Sequence, residues 1–129
     1  KYTDDTIETA RNLGYVQTLM GRRRPIPDIN TANRNIRLFA ERAAVNMPIQ
    51  GTAADIMKLA MLHVHKSLVT DNLASKMVLQ VHDELLLEVV PSELKQASDH
   101  LRHGMERAYE MKVPLRVDVK VGKNWAEMV

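Results

Sequence analysis

With 129 residues, 45% of them hydrophobic and 26% charged, the chain suits one globular domain with one core and is too short for two. It has no cysteine, which excludes a disulfide framework and a thiolate metal site and fits a reducing cytoplasm. No apolar run approaches the roughly 20 residues of a membrane span and no signal peptide is visible.

The formal net charge of +2 is unevenly spread. Between residues 16 and 46, six arginines (Arg22, Arg23, Arg24, Arg34, Arg37, Arg42) face only Asp28 and Glu41, so the remainder of the chain is net acidic. An arginine-dense, lysine-free segment favours phosphate, because the guanidinium fork matches two oxygens at once. A solvated charged loop explains the run at 22–24 equally well.

The chain opens on Lys1 rather than Met and enters directly into helix-like sequence, as expected of a piece of a longer protein. Ile7, Ala10 and Leu13 stand at helical spacing behind Asp4, Asp5 and Glu8, acids that suit the positive end of a helix. Gly14 ends that helix. Residues 15–20 are β-prone, and a small hairpin turning at Met20-Gly21 is expected to carry the three arginines on its return strand, closed by Pro25 and Pro27.

Thr31 to Asn46 reads as a helix with Ile36, Ala40, Ala43 and Ala44 towards the core. Arg42 and Asn46 are four residues apart and project together, and Gln50 joins their row only if the helix survives Pro48. Pro48 and Gly51 predict a kink or break, since proline removes a backbone donor and glycine lowers helix propensity. Thr52 then reads as the N-cap of a second helix running to about Val69, with Ile56, Ala60, Val64 and Leu68 as its buried stripe. His63 and His65, two apart on that helix, point in different directions and cannot share a metal ion.

The stretch 77–90, MVLQVHDELLLEVV, consists of two apolar runs joined by His82-Asp83-Glu84 and reads as a β-hairpin with a histidine and two acids at its tip. Leu85, Leu87 and Val89 share one face; Leu86, Glu88 and Val90 share the other. Carboxylates at the end of a packed hairpin invite a cation, although acids in turns are commonly structural. Pro91 and Ser92 open a helix to about Met111 with Leu94, Ala97, Leu101, Met105 and Ala108 inward, leaving His100 and His103 as surface histidines. Leu115, Val117, Val119 and Val121 alternate with Arg116, Asp118 and Lys120, the pattern of a strand with one buried face. Trp125 is expected to cover an edge of the core. The fold class expected is α+β: an antiparallel three-stranded sheet, built from the 77–90 hairpin and this closing strand, packed by two long helices, with a small extra β-hairpin near the N-terminus.

These residues carry a resemblance. QVHDELLLEV is similar to the catalytic hairpin of the bacterial family A DNA polymerases. GYVQTLMGRRRPIPDI, ERAAVNMPIQGTAADIMKLAM and VPLRVDVKVGKNW resemble that family's sequence in the same order. Four ordered blocks cover essentially the whole chain, which would make 1–129 the carboxy-terminal part of the polymerase palm with the end of the fingers-side helices.

The resemblance implies template-directed nucleotidyl transfer to a primer 3′-hydroxyl, by a two-metal mechanism, in DNA replication and repair. It implies that Asp83 binds the two Mg²⁺ ions and that Glu84 assists less directly. It places His82 near the primer terminus, and Arg42, Asn46 and Gln50 along the DNA at the newest base pairs. Minor-groove acceptors at purine N3 and pyrimidine O2 are common to every correct pair, so such contacts test geometry rather than sequence. Primer-template DNA and deoxynucleoside triphosphates are the implied partners.

The departures matter equally. The family's first metal-binding aspartate, in a DYSQIE-like motif, has no counterpart here, nor has the fingers helix that holds the incoming nucleotide. The chain alone is therefore expected not to extend primers, and its hairpin is expected to carry an unpaired edge that favours self-association. Two other classes fit less of the sequence. One is a noncatalytic nucleic-acid-binding module, for which the basic segment argues, although the central strands lack the aromatic residues on which such sheets stack bases. The other is a small metallohydrolase on His82, Asp83 and Glu84, three adjacent residues that cannot all face one ion.

Overall fold

The computed structural model describes residues 1–128. The chain forms two compact units, Lys1–Asp55 and the residues from Ile56 onward. The single core expected from length is in fact two separate clusters, because the two halves of one long helix contribute separate buried stripes. Among the described residues, no helix is long and apolar enough to cross a membrane.

In the first unit, α1 (Tyr2–Leu13) has Asp4 and Asp5 in its first turn and stops at Gly14. Gly14 takes φ 81°, a left-handed conformation that costs glycine no Cβ clash, and its N–H returns to the Ala10 carbonyl at 2.8 Å. Ala10 is fully buried, but Leu13, expected inward, is exposed. Strands β1 (Tyr15–Gln17) and β2 (Arg23–Pro25) pair antiparallel with Val16 opposite Arg24. The turn between them has Gly21 at φ 87°, as the sequence indicates. Helix α2 (Arg34–Thr70) starts three residues later than expected, because the Asn33 side chain caps it by accepting the N–H groups of Asn35 and Ile36. Ala40, Ala44 and Met47 of α2 pack with Ala10, Val16, Ile26 and Ile29, while Ile36 turns outward.

The expected break at Pro48 does not occur: α2 runs unbroken through 37 residues. Proline and glycine inside a helix cost about 3 and about 1 kcal/mol respectively relative to alanine. Contacts from the β1–β2 turn, described below, oppose that cost. Thr52 is accordingly no N-cap; it lies mid-helix, 7% exposed, with its hydroxyl donating back to the Pro48 carbonyl.

In the second unit, Ala60, Val64 and Leu68 of the predicted α2 stripe are buried, and Ile56 is half-buried. The helix ends on Asn72 at φ 54°, with the N–H of Asn72 bonded to the Val69 carbonyl and that of Leu73 to the Leu68 carbonyl, a paired closure that satisfies two terminal carbonyls. Strands β3 (Lys76–Val81) and β4 (Glu84–Glu88) form the hairpin, with an irregularity between Met77 and Leu79. Leu85, Leu87 and Val89 pack on Val64, Leu68 and Ala97, so the expected inward face is the observed one. A 3₁₀ turn at Pro91–Glu93 leads into α3 (Leu94–Glu106), which stops short of Met111, although Ala108 is still buried.

The closing strand is a correction. Residues 115–121 form no strand among the described residues, and the only sheets are the two hairpins β1-β2 and β3-β4. The inward alternation survives only in part, with Leu115, Val117 and Val119 half-buried and Arg116, Asp118 and Lys120 exposed, whereas Val121, expected inward, is exposed. No ladder joins this segment to β4; a groove of about 1130 Å³ is lined by β4, α3 and residues 116–123. Trp125 lines that groove half-exposed rather than covering the core.

Candidate functional site

The hairpin tip is a two-residue turn, His82-Asp83, between the paired Val81 and Glu84. His82 has φ 52°, whereas Asp83 stays outside the left-handed region. A turn with positive φ at its first central residue normally places glycine there. A non-glycine residue in that position carries strain of about 1–3 kcal/mol, and such strain concentrates at functional sites. The Gln80 side chain supports the tip, its Nε2 donating to the His82 carbonyl at 2.6 Å. His82, Asp83 and Glu84 are all exposed, and both carboxylates border the groove beside β4.

The base of the same hairpin is tied by a carboxylate. Glu93 accepts from the Ala74 N–H at 3.0 Å, the Ser75 N–H at 2.9 Å and the Ser75 hydroxyl at 2.7 Å, while the Ser75 oxygen accepts from the Val90 N–H at 3.1 Å. The Ala74 N–H first, then the Ser75 hydroxyl and N–H, lower the Glu93 pKa by stabilising its charged form. The strand entering the tip and the strand leaving it are thereby joined at their open end. Nothing in the periodicity singles out Glu93.

Among the described residues, no group of three or more His, Cys, Asp or Glu is arranged to hold a metal ion. Asp83 and Glu84 are exposed carboxylates at this tip, two at most for any one ion. That suits Mg²⁺, which commonly takes one or two carboxylates and completes six positions with water and phosphate oxygens. His100 is engaged elsewhere, 2.6 Å from Asp71.

In the first unit, α2 presents Arg42, Asn46 and Gln50, all exposed, opposite the buried Ala40, Ala44 and Met47. Because the helix persists through Pro48, Gln50 does continue the row at four-residue spacing. Glu41 pairs with Arg11 at 2.7 Å, so the neighbouring acid is turned to α1 rather than to Arg42. Gln50 also lines a shallow pocket of about 350 Å³ with Arg22, Arg23 and Arg24.

Those three arginines are not equivalent. The Arg22 guanidinium donates from Nε to Asp55 Oδ1 at 2.8 Å and from Nη2 to the Gly51 carbonyl at 3.2 Å. Arg23 lies over the Tyr15 ring, 4.5 Å from its centre. Arg24 makes no side-chain hydrogen bond or ion pair among the described residues. Asp55, Gly51, Thr18 and Thr52 all serve this arrangement, and sequence reasoning assigned none of them to it. Arg42, Asn46 and Gln50 thus lie in the first unit with the basic hairpin, and His82, Asp83 and Glu84 in the second.

Comparison with known proteins gives the family. The family model described as DNA polymerase family A matches residues 1–127. The chain is 51% identical over 126 residues to DNA polymerase I of Streptococcus pneumoniae, covering 98% of this chain and 14% of that protein. It is 52% identical over 127 residues to DNA polymerase I of Caldicellulosiruptor bescii, covering 98% of this chain and 15% of that one. Among solved structures, the POL domain of Pol1 from M. smegmatis, in complex with DNA primer-template and dNTP, superimposes with a TM-score of 0.96 at 45% identity, covering 98% of this chain and 22% of that one. The chain therefore spans about a seventh of the length of these curated relatives. The architecture, the motifs and a match from one end to the other agree: the chain belongs to DNA polymerase family A.

Proposed function

We propose that this chain is the carboxy-terminal part of the palm of a DNA-directed DNA polymerase, with the end of its fingers-side helices, and that it serves template-directed nucleotidyl transfer to a primer 3′-hydroxyl during cytoplasmic DNA replication and repair. The observation that carries this is the likeness, along 98% of the chain, to a polymerase domain solved with primer-template and dNTP.

Asp83, at the exposed tip, is the residue that would hold Mg²⁺ through its carboxylate, and Glu84, at the first position of β4, would assist less directly. The chemistry supplied at such a site by bound Mg²⁺ is activation of the primer 3′-hydroxyl and neutralisation of the pyrophosphate leaving group. His82 lies near the primer terminus, next to these carboxylates in the chain. Arg42, Asn46 and Gln50 test the newest base pairs through minor-groove acceptors shared by all correct pairs. The second carboxylate motif and the nucleotide-binding fingers surface belong to sequence outside these 129 residues, so the isolated chain does not extend primers.

Replacing Asp83 by Asn in the full polymerase tests the reading: synthesis should be abolished and primer-template binding retained. Synthesis and binding both unchanged would overturn the assignment and favour a noncatalytic nucleic-acid module, which would be indifferent to the change. Self-association of the isolated chain through the free edges of the β3–β4 hairpin follows from their unpaired backbone groups. Sedimentation independent of protein concentration would count against it.

A further inference from the structure

The five residues that join β1 to β2 form a closed loop of hydrogen bonds. The Thr18 N–H donates to the Arg22 carbonyl at 2.9 Å, the Gly21 N–H to the Thr18 carbonyl at 2.9 Å, and the Arg22 N–H to the Thr18 hydroxyl oxygen at 3.2 Å. Thr18 is only 3% exposed. The loop rests on α2 just beyond Pro48. The Leu19 N–H donates to the Thr52 hydroxyl at 3.0 Å, and Arg22 reaches both Asp55 and the Gly51 carbonyl. Gly51 permits the contact, because a Cβ there would stand 2.8 Å from Thr18 Cγ2 and 3.4 Å from Arg22 Nη2.

These contacts gather where the helix is weakest. Pro48 cannot donate to the Ala44 carbonyl, and Gly51 lowers helix propensity three residues later. Asn46 precedes the proline and Gln50 follows it by two residues, so the row Arg42, Asn46, Gln50 shares one face only while the helical phase is kept across Pro48. The turn supplies contacts at Gly51, Thr52 and Asp55, directly after Gln50.

We propose that Arg22 is a positioning residue: bonded to Asp55 and the Gly51 carbonyl, it keeps the helical phase of α2 across Pro48 and so holds Gln50 in line with Arg42 and Asn46, while Arg24 is the arginine of this hairpin left to meet a phosphate. This rests on the reading of that row as a DNA surface. Arg22 has an exposed rim, but its Nε and Nη2 are committed within the protein. Among the described residues Arg24 has no such commitment, whereas the Arg23 guanidinium is held over the Tyr15 ring.

The test uses the full polymerase carrying Arg22→Gln, Arg24→Gln, Gln50→Ala and the pairwise combinations with Gln50→Ala. Primer-template affinity is measured against salt, and extension of a matched primer end is compared with that of a mismatched one. Gln50→Ala should reduce discrimination about tenfold, the loss of one or two well-placed base contacts. Arg22→Gln should reproduce that loss, add nothing to it in the double variant, and leave the salt slope unchanged. Arg24→Gln should lower the salt slope by about one, as expected for a lost phosphate contact, and should add to Gln50→Ala.

Asp55→Asn, which keeps the acceptor oxygen, should retain discrimination, whereas Asp55→Ala and Gly51→Ala should lose it; these variants decide the matter if Arg22→Gln does not fold. An Arg22→Gln variant that lowers the salt slope and adds to Gln50→Ala would make Arg22 a phosphate ligand and overturn the proposal. A silent Gln50→Ala would overturn the DNA-surface reading itself, and the proposal with it.

Discussion

Gly104 on α3 lies so close to Val64 on α2 that a Cβ at Gly104 would stand 2.6 Å from Val64 Cγ2 and 3.2 Å from the Val64 backbone nitrogen. Val64 is fully buried, and its neighbours Leu68, Ala97 and Leu101 complete the cluster that supports β4. In an open helix, replacing glycine by alanine stabilises by about 1 kcal/mol. Here overpacking costs about 1–3 kcal/mol and should win, because the obstacle is a buried β-branched side chain and its backbone. Gly104→Ala is expected to lower the denaturation midpoint in urea; a raised midpoint would mean that the two helices separate without cost.

His82 should show opposite effects on stability and function. Glycine adopts φ near 52° without Cβ strain, so His82→Gly should raise thermal stability, by about 1 kcal/mol if the strain is fully released. The same change removes the imidazole proposed to lie near the primer terminus, so primer-template affinity should fall. Thermal melting and DNA binding on one protein preparation check both directions. A variant neither more stable nor weaker in binding would refute the strained-tip argument.

Glu93 makes part of the stability pH-dependent. Its carboxyl is held below the ordinary value of 4.5 by the hydrogen bonds to Ala74 and Ser75. The folded state thus binds the proton less readily than the unfolded chain, and this contribution is fully present above the unfolded value and fades as pH falls through the lowered one. Glu93→Gln should be less stable than the parent at neutral pH. The gap should narrow on acidification below about pH 4.5, in urea titrations repeated across that range. A gap independent of pH would assign the effect to shape rather than charge.

Asn72 closes α2 in a left-handed conformation at φ 54°. Asn72→Ala should destabilise by about 1 kcal/mol, since alanine has neither the freedom of glycine nor the tolerance of asparagine there, and Asn72→Gly should be neutral or better. Comparing the two by thermal melting isolates backbone conformation from side-chain contacts.

Much of the architecture was legible locally. Period-two alternation placed Leu85, Leu87 and Val89 on the inner face of β4, and four-residue spacing placed Ala60, Val64 and Leu68 in the core. Gly14 and Gly21 marked two of the four positive-φ positions among the described residues, the other two being Asn72 and His82. Of the candidate site, the tip acids and the Arg42–Asn46 pair were visible. Arg22 was visible as a charge but not as a bound one, because its partner Asp55 is 33 residues away.

The sequence by itself determined the family, through four ordered motifs, and the elements whose signals repeat over a few residues. Tertiary structure decided the rest. It carried α2 through Pro48, because a distant turn supplies contacts at the helix's weakest point. It left residues 115–121 alternating only in part and unladdered, because a strand requires a neighbour's backbone and not only its own pattern. Propensity and periodicity describe what a segment can become, whereas these outcomes depend on which remote groups reach it.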